Sequence, residues 1–171
     1  MRNITRENIA EHSFFVSILS HALACIRRDI LGQPCDPEKV AAYALFHDAS
    51  EIFTGDLPTP IKYFNPEIRT AYAEIEKNAT ERLLRTLPEE LTPSYDALLH
   101  IPEEYRLLVK AADKLAAYIK CIEERTSGNS EFSRAEQTTR QTLQSLSMPE
   151  VDYFLEHFIP AFDLTLDELE R

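Results

Sequence analysis

From Tyr105 to Ile122 apolar side chains return every three or four residues: Tyr105, Leu108, Val109, Ala112, Ala116, Ile119 and Ile122. That period puts them on one face of a helix, and a face so apolar must be buried. As a strand, the same stretch would turn half of these groups to water. Two further stripes have the same period. One runs through Ile9, Val16, Leu19, Leu23, Ile26 and Ile30, the other through Ile68, Tyr72, Ile75, Ala79, Leu83 and Leu87. Strand-type alternation is scarce and only 3 glycines occur in 171 residues, so an all-α fold is predicted.

Capping signals divide the chain. A first helix is expected over 8–31, closed by Gly32-Gln33-Pro34. A second is expected over 37–53, with Asp36 as its cap and Pro37 at its first position. Further helices are expected over 66–87, 103–128, 133–146 and 149–158. In the third helix Glu76, Lys77, Glu81 and Arg82 are expected on the solvated side. Tyr153, Phe154, Phe158 and Phe162 point to a core or an oligomer contact near the end of the chain. No repeat or interdomain linker interrupts this pattern, so residues 1–171 are expected to form a single domain.

Composition narrows the function. Hydrophobic residues make up 44% of the chain, enough for a core. A net charge of −11 argues against a nucleic-acid polymer as partner, since phosphate contacts need clustered Lys and Arg. A single nucleotide is compatible with that charge. Cys25, Cys35 and Cys121 are odd in number and widely spaced, which suits a reducing cytoplasm better than a disulfide framework. No membrane-spanning segment is expected. The apolar run over 14–26 lacks the basic lead of a signal peptide and contains His21.

Chemistry concentrates in Ala44-Leu45-Phe46-His47-Asp48-Ala49-Ser50-Glu51. On one continuous helix His47 and Glu51 share a face, with Asp48 beside them. Their neighbours are small or apolar, and polar groups crowded onto such a face are costly unless a positive charge joins them. A divalent metal is one candidate, because imidazole and carboxylate both ligate it. A satisfied core histidine with two solvated acids is the commoner arrangement for such a segment taken alone. Two more inward groups widen the choice: His12 on the first stripe and Asp113 at the edge of the Tyr105 stripe, among Ala111, Ala112, Ala116 and Ala117. The loop Thr54-Gly55-Asp56-Leu57-Pro58-Thr59-Pro60 follows within a few residues of Glu51 and is a candidate binding loop or an ordinary turn.

The order H…HD…D of His12, His47-Asp48 and Asp113 resembles the HD-domain phosphohydrolase superfamily. Longer stretches resemble one family within it, the bacterial 5′-deoxynucleotidases of the YfbR type. These are Arg6-Glu7-Asn8-Ile9-Ala10-Glu11-His12-Ser13, His47-Asp48-Ala49-Ser50-Glu51, the loop from Thr54 to Tyr63, and Lys110-Ala111-Ala112-Asp113-Lys114-Leu115. The C-terminal Asp152-Tyr153-Phe154 and Leu164-Thr165-Leu166-Asp167-Glu168 extend the likeness over nearly the whole chain.

The resemblance implies an HD-domain helical bundle, usually a homodimer. It implies hydrolysis of deoxyribonucleoside 5′-monophosphates with a divalent transition metal, cobalt or manganese. It implies His12, His47, Asp48 and Asp113 as metal ligands and Glu51 as the catalytic carboxylate. Substrate contacts fall to Asp56, Leu57, Pro58 and Thr59, with His12, Asp48 and Asp113. Glu51 can orient a water or move its proton, which suits direct attack by water without a phosphoenzyme. The alternatives are another HD hydrolase acting on a cyclic or pyrophosphorylated nucleotide, or a helical protein that binds metal and nucleotide without turnover.

One departure stands out. The family carries an N-terminal helix with an Arg-Trp pair at the substrate, and this sequence has no Trp. Either Met1 is an internal start or the protein manages with an open pocket. The chain as given is therefore expected to bind nucleotide weakly and to discriminate poorly between ribose and deoxyribose. Comparing kcat/KM for a deoxyribonucleotide and its ribose counterpart tests this. A strong deoxyribose preference would place the selectivity elsewhere.

Overall fold

The computed structural model describes residues 3–4, 6–55, 57, 59–62, 64–164 and 166–169, with the backbone alone at 59, 60, 166 and 169. Every regular element among them is helical. Helix α1 (Ile9–Cys25) continues as a π-helical turn through Ile26–Ile30. Then come α2 (Pro37–Leu45), the single turns α3 (Glu51–Thr54) and α4 (Thr59–Lys62), and the long α5 (Pro66–Leu84). The short α6 (Thr92–Leu99) leads into α7 (Glu103–Thr126). A 3₁₀ turn (Ser130–Phe132), α8 (Ser133–Ser145), α9 (Pro149–His157), a second 3₁₀ turn (Ile159–Asp163) and α10 (Leu166–Leu169) complete the order.

The caps explain where these helices begin and end. Asn8 and Glu11 form a reciprocal box: the Glu11 amide donates to Asn8 Oδ1 at 3.0 Å, and the Asn8 amide donates to Glu11 Oε2 at 2.9 Å. Gly32, at φ 65°, closes the first helix in the left-handed region, and the Gln33 amide reaches back to the Arg27 carbonyl at 3.0 Å. Asp36 and Asn65 accept from the amides of Lys39 and Ile68 and start α2 and α5, each with Pro at its first position.

Helix α7 is the centre of the bundle. Leu108, Ala111, Ala112, Leu115 and Ile119 are fully buried on it, against Val16, Leu23 and Ala24 of α1 and Val40 and Ala44 of α2. The alanines let the three helices approach closely, and Ser17 Oγ donates to the Ala41 carbonyl at 2.8 Å to tie α1 to α2. Leu143 of α8, and Val151 and Phe154 of α9, cover the other side of the same apolar cluster. Arg27 of the π turn bonds the buried Glu150 in the first turn of α9, and this pair joins the end of the first helix to the start of α9.

Three expectations are corrected. The second helix does not run to Phe53 but stops at Leu45, and residues 46–50 form successive turns. The third stripe is less buried than its period suggests: Ile75 is 49% exposed, while Glu76 is half-buried and accepts from Lys62 Nζ at 2.5 Å. Finally, α1 with its π turn, Ile9–Ile30, is long and apolar enough by length and composition to cross a membrane. Here it lies in the core, packed against α2 and α7. Its last stripe residue, Ile30, is 56% exposed because the π turn rotates it off the buried face.

The inward and outward faces of α1 differ in their expected cost of truncation. Leu23→Ala, at a fully buried position, is expected to destabilise by about 2–5 kcal/mol. Ile30→Ala, at a position 56% exposed in the π turn that continues α1, is expected to stay within about 1 kcal/mol of wild type. Urea denaturation of the two variants checks the contrast.

Candidate metal centre and active site

The backbone break after Leu45 arises at the site. His47 Nδ1–H donates to the Ala44 carbonyl at 2.7 Å. In a continuing α-helix that carbonyl would serve the Asp48 amide. With the acceptor shared, the chain tightens into three-residue turns, seen in the Glu51 amide donating to the Asp48 carbonyl at 2.9 Å. His47, Asp48 and Glu51 are therefore not neighbours on one helical face. Residues 46–50 present the first two, and Glu51 opens α3.

The break brings His47 and Asp48 to His12 of α1 and Asp113 of α7. His12 Nε2–H donates to Asp113 Oδ1 at 3.1 Å, and Asp48 Oδ2 lies 3.5 Å from the same nitrogen. Asp48 Oδ2 also lies 3.1 Å from His47 Nε2, off the line of a hydrogen bond. The two rings stand 5.5 Å apart, tilted by 45°. Glu7 Oε2 approaches the other side of the His12 ring at 4.0 Å.

Acids and imidazoles so close shift one another's protons. His12 titrates above its ordinary 6.5: the hydrogen bond to Asp113 is the main cause, burial opposes it, and the charges of Asp113, Asp48 and Glu7 add to it. Burial pushes His47 down, but the Asp48 carboxylate, the Ala44 carbonyl and the Asp113 charge together outweigh it, so it too is raised. Burial pushes Asp113 up, yet the hydrogen bond from His12 and the positive charges of His47, His12 and Lys114 hold it below 3.8.

The donor set fits a divalent metal. Ligand atoms of His12, His47 and Asp113 all lie within 4.8 Å of one another. Ligands at about 2.0–2.2 Å from one ion can be at most about 4.4 Å apart, so a small contraction closes the set. With Nδ1–H committed to a carbonyl, neutral His47 carries its lone pair on Nε2, and that buried nitrogen has no hydrogen-bond partner. Such an atom is suited to a cation. Asp48 is outside the group of three, although one of its oxygens touches both imidazoles.

The chain's relatives match these observations. The pattern of the YfbR-like 5′-deoxynucleotidases matches residues 1–162. The chain belongs to the YfbR-like 5′-deoxynucleotidase family. A 5′-deoxynucleotidase of Enterobacter sp. (strain 638) is 47% identical over 174 residues, which cover 100% of this chain and 87% of that protein. One from Photobacterium profundum is 46% identical over 99% of this chain and 89% of its own length. Among solved structures, an HD-domain phosphohydrolase from Listeria innocua superposes with a TM-score of 0.79 at 27% identity, covering 94% of this chain and 79% of that one. The fold of this YfbR-like protein is the all-α HD fold expected from its stripes and motifs.

The remaining expected residues are placed unevenly. Asp56 and Pro58 lie outside the described residues, and for Thr59 only the backbone, at the start of α4, is described. Leu57 is half-buried. The loop's flanks are held by α5: Tyr72 Oη donates to the Gly55 carbonyl at 3.3 Å, and Lys62 sits 4.7 Å over the Tyr72 ring. Sequence reading missed a cleft of about 370 Å³ that opens beside His47 and Asp113. Its walls come from the end of α6, the turn after it and the first half of α7, including Leu99, Ile101, Arg106 and Lys110. The only signal for it was the helical spacing of Arg106 and Lys110 with Asp113, at seven and three residues.

The proton shifts set a stability profile for protein stripped of metal. Asp113, with its carboxyl lowered, stabilises above about 3.8 and loses that contribution as pH falls through its folded value. His12, raised, stabilises below 6.5 and loses that contribution as pH climbs through its folded value. Stripped protein should therefore be most favoured by this pair between those limits and weaken above pH 6.5. Asp113→Asn should flatten the profile. Thermal unfolding across pH in chelator checks it. Metal affinity should rise over the same interval, as protons leave the two rings.

Proposed function

We propose that residues 1–171 form a single HD domain that acts as a metal-dependent phosphomonoesterase. It cleaves deoxyribonucleoside 5′-monophosphates to deoxynucleoside and phosphate. The observation that carries this reading is the convergence of His12, His47 and Asp113 around the unmatched lone pair of His47 Nε2. It does so in a chain 47% identical to a protein named as a 5′-deoxynucleotidase.

His12, His47 and Asp113 hold the ion with Asp48, which completes a set of two imidazoles and two carboxylates. Such a nitrogen–oxygen set suits cobalt or manganese. When bound, the ion supplies positive charge to a phosphoryl oxygen and acidifies water. Glu51 orients the attacking water and takes its proton. The water oxygen bonds to phosphorus, the phosphorus–O5′ bond breaks with its electron pair leaving on O5′, and the proton held by Glu51 passes to that oxygen. Asp56, Leu57, Pro58 and Thr59, which follow α3 in sequence, contact the nucleotide. Among the other expectations, free Cys25, Cys35 and Cys121 support a cytoplasmic setting. Phe14 and Ile18, 61% and 49% exposed and one turn apart on α1, support a homodimer.

Phosphate release from 2′-deoxyadenosine 5′-monophosphate, with Mn²⁺ or Co²⁺ and with chelator, tests the activity. Chelator should abolish release and either metal should restore it. Asp48→Ala should lose metal and turnover together. Glu51→Ala should keep metal and nucleotide affinity while kcat falls by about 10²–10⁴-fold. Loss of bound metal in Glu51→Ala would make Glu51 a ligand instead.

A further inference from the structure

The ion and its ligands account for one end of the 370 Å³ cleft. The other end has no assigned role. The site is strongly acidic, with Asp48, Asp113 and Glu7 around two imidazoles, in a chain of net charge −11. A phosphate dianion approaching it meets repulsion that a single divalent ion only partly offsets. A cation on the cleft wall would complete the neutralisation.

Two strong cations line the cleft. Arg106 is engaged: its guanidinium pairs with Glu103 at 2.7 Å and donates to the Ile101 carbonyl at 3.4 Å, which secures the α6–α7 turn. Lys110 is exposed and has no ion-pair partner among the described residues. It lies three residues before Asp113 on α7, a rise of about 4.5 Å along the same face. Its four-carbon stem can bring a compact, mobile ammonium to a phosphate held beside Asp113. Beyond it, Leu99, Ile101 and Val109 form an apolar wall fit for the flat, uncharged part of a nucleotide.

We propose that Lys110 is a phosphate-binding residue and that the α6–α7 wall of the cleft seats the nucleoside. The nucleotide then lies along α7, its phosphate between the metal ligands and Lys110 and its nucleoside toward Leu99 and Ile101. This placement rests on the proposed phosphomonoesterase reading, and it adds a substrate contact from α7, where that reading otherwise uses Asp113 alone.

The test measures binding as well as turnover. Wild type, Lys110→Gln and Lys110→Arg are titrated calorimetrically with inorganic phosphate and with 2′-deoxyadenosine, in Mn²⁺, and their bound metal is assayed. Lys77→Gln, on the exposed side of α5, serves as a charge-matched control. Lys110→Gln should weaken phosphate binding by about tenfold or more, the loss of one charge-assisted contact, and raise KM for 2′-deoxyadenosine 5′-monophosphate comparably. Lys110→Arg should recover most of the affinity, and Lys77→Gln should match wild type. Binding of 2′-deoxyadenosine, which has no phosphate, and metal content should be unchanged in Lys110→Gln. Wild-type phosphate affinity in Lys110→Gln overturns the proposal. So does a parallel loss of 2′-deoxyadenosine or of metal, which would mark a structural role. Absence of phosphate release by wild type defeats the phosphomonoesterase reading instead, and the phosphate titration still decides Lys110.

Discussion

Two carboxylates and two imidazoles packed at one junction need a positive charge among them, and the bundle is built around that need. His12 comes from the first turn of α1, Asp113 from the middle of α7, and His47 and Asp48 from the break after α2. Without an ion, protons on the rings supply the charge, which is why both histidines titrate upward and Asp113 downward. With an ion, those protons are displaced. One arrangement thus serves both states, held in place by the tightest part of the core. Ala111 and Ala112, immediately before Asp113, are fully buried, so the carboxylate sits on a helix with little freedom to shift.

The break at residues 46–50 shows how chemistry and backbone depend on each other. A continuous helix would have set His47 and Glu51 on one face, aimed the same way. The His47 ring instead takes the Ala44 carbonyl, the turn tightens, and the neutral ring is left with its lone pair on the buried nitrogen. A single hydrogen bond therefore fixes the tautomer of a candidate ligand and ends α2. Glu51 then opens the next helical turn, α3.

Charge is distributed unevenly around the site. The junction itself is acidic, while cations of α7 flank it: Lys114 acts on Asp113 electrostatically, and Lys110 and Arg106 line the adjoining cleft. A chain with a net charge of −11 can still receive an anion when a few positive groups face one hollow. Tyr72 of α5 holds both flanks of the loop after α3, through the Gly55 carbonyl on one side and Lys62 on the other.

Much of this was legible in the amino-acid sequence. Period fixed the helices, since 3.6-residue stripes have no stable strand counterpart, and the cap at Asp36 and the stop at Gly32 set ends that the structure keeps. The inward bias of His12 and Asp113 followed from their places on two stripes. Their meeting did not follow from the stripes, because 101 residues separate them; the family resemblance implied it, and the packing of α1 on α7 brings Nε2 within 3.1 Å of Oδ1. The end of α2 was hidden as well: Ala44 to Glu51 is compatible with helix throughout, and the competing acceptor is a ring that bonds its own backbone three residues back. The cleft over Leu99, Ile101 and Lys110 was out of reach for a further reason. A hollow is made by surfaces that fail to touch, and local sequence encodes which faces are apolar but not where two such faces stand apart.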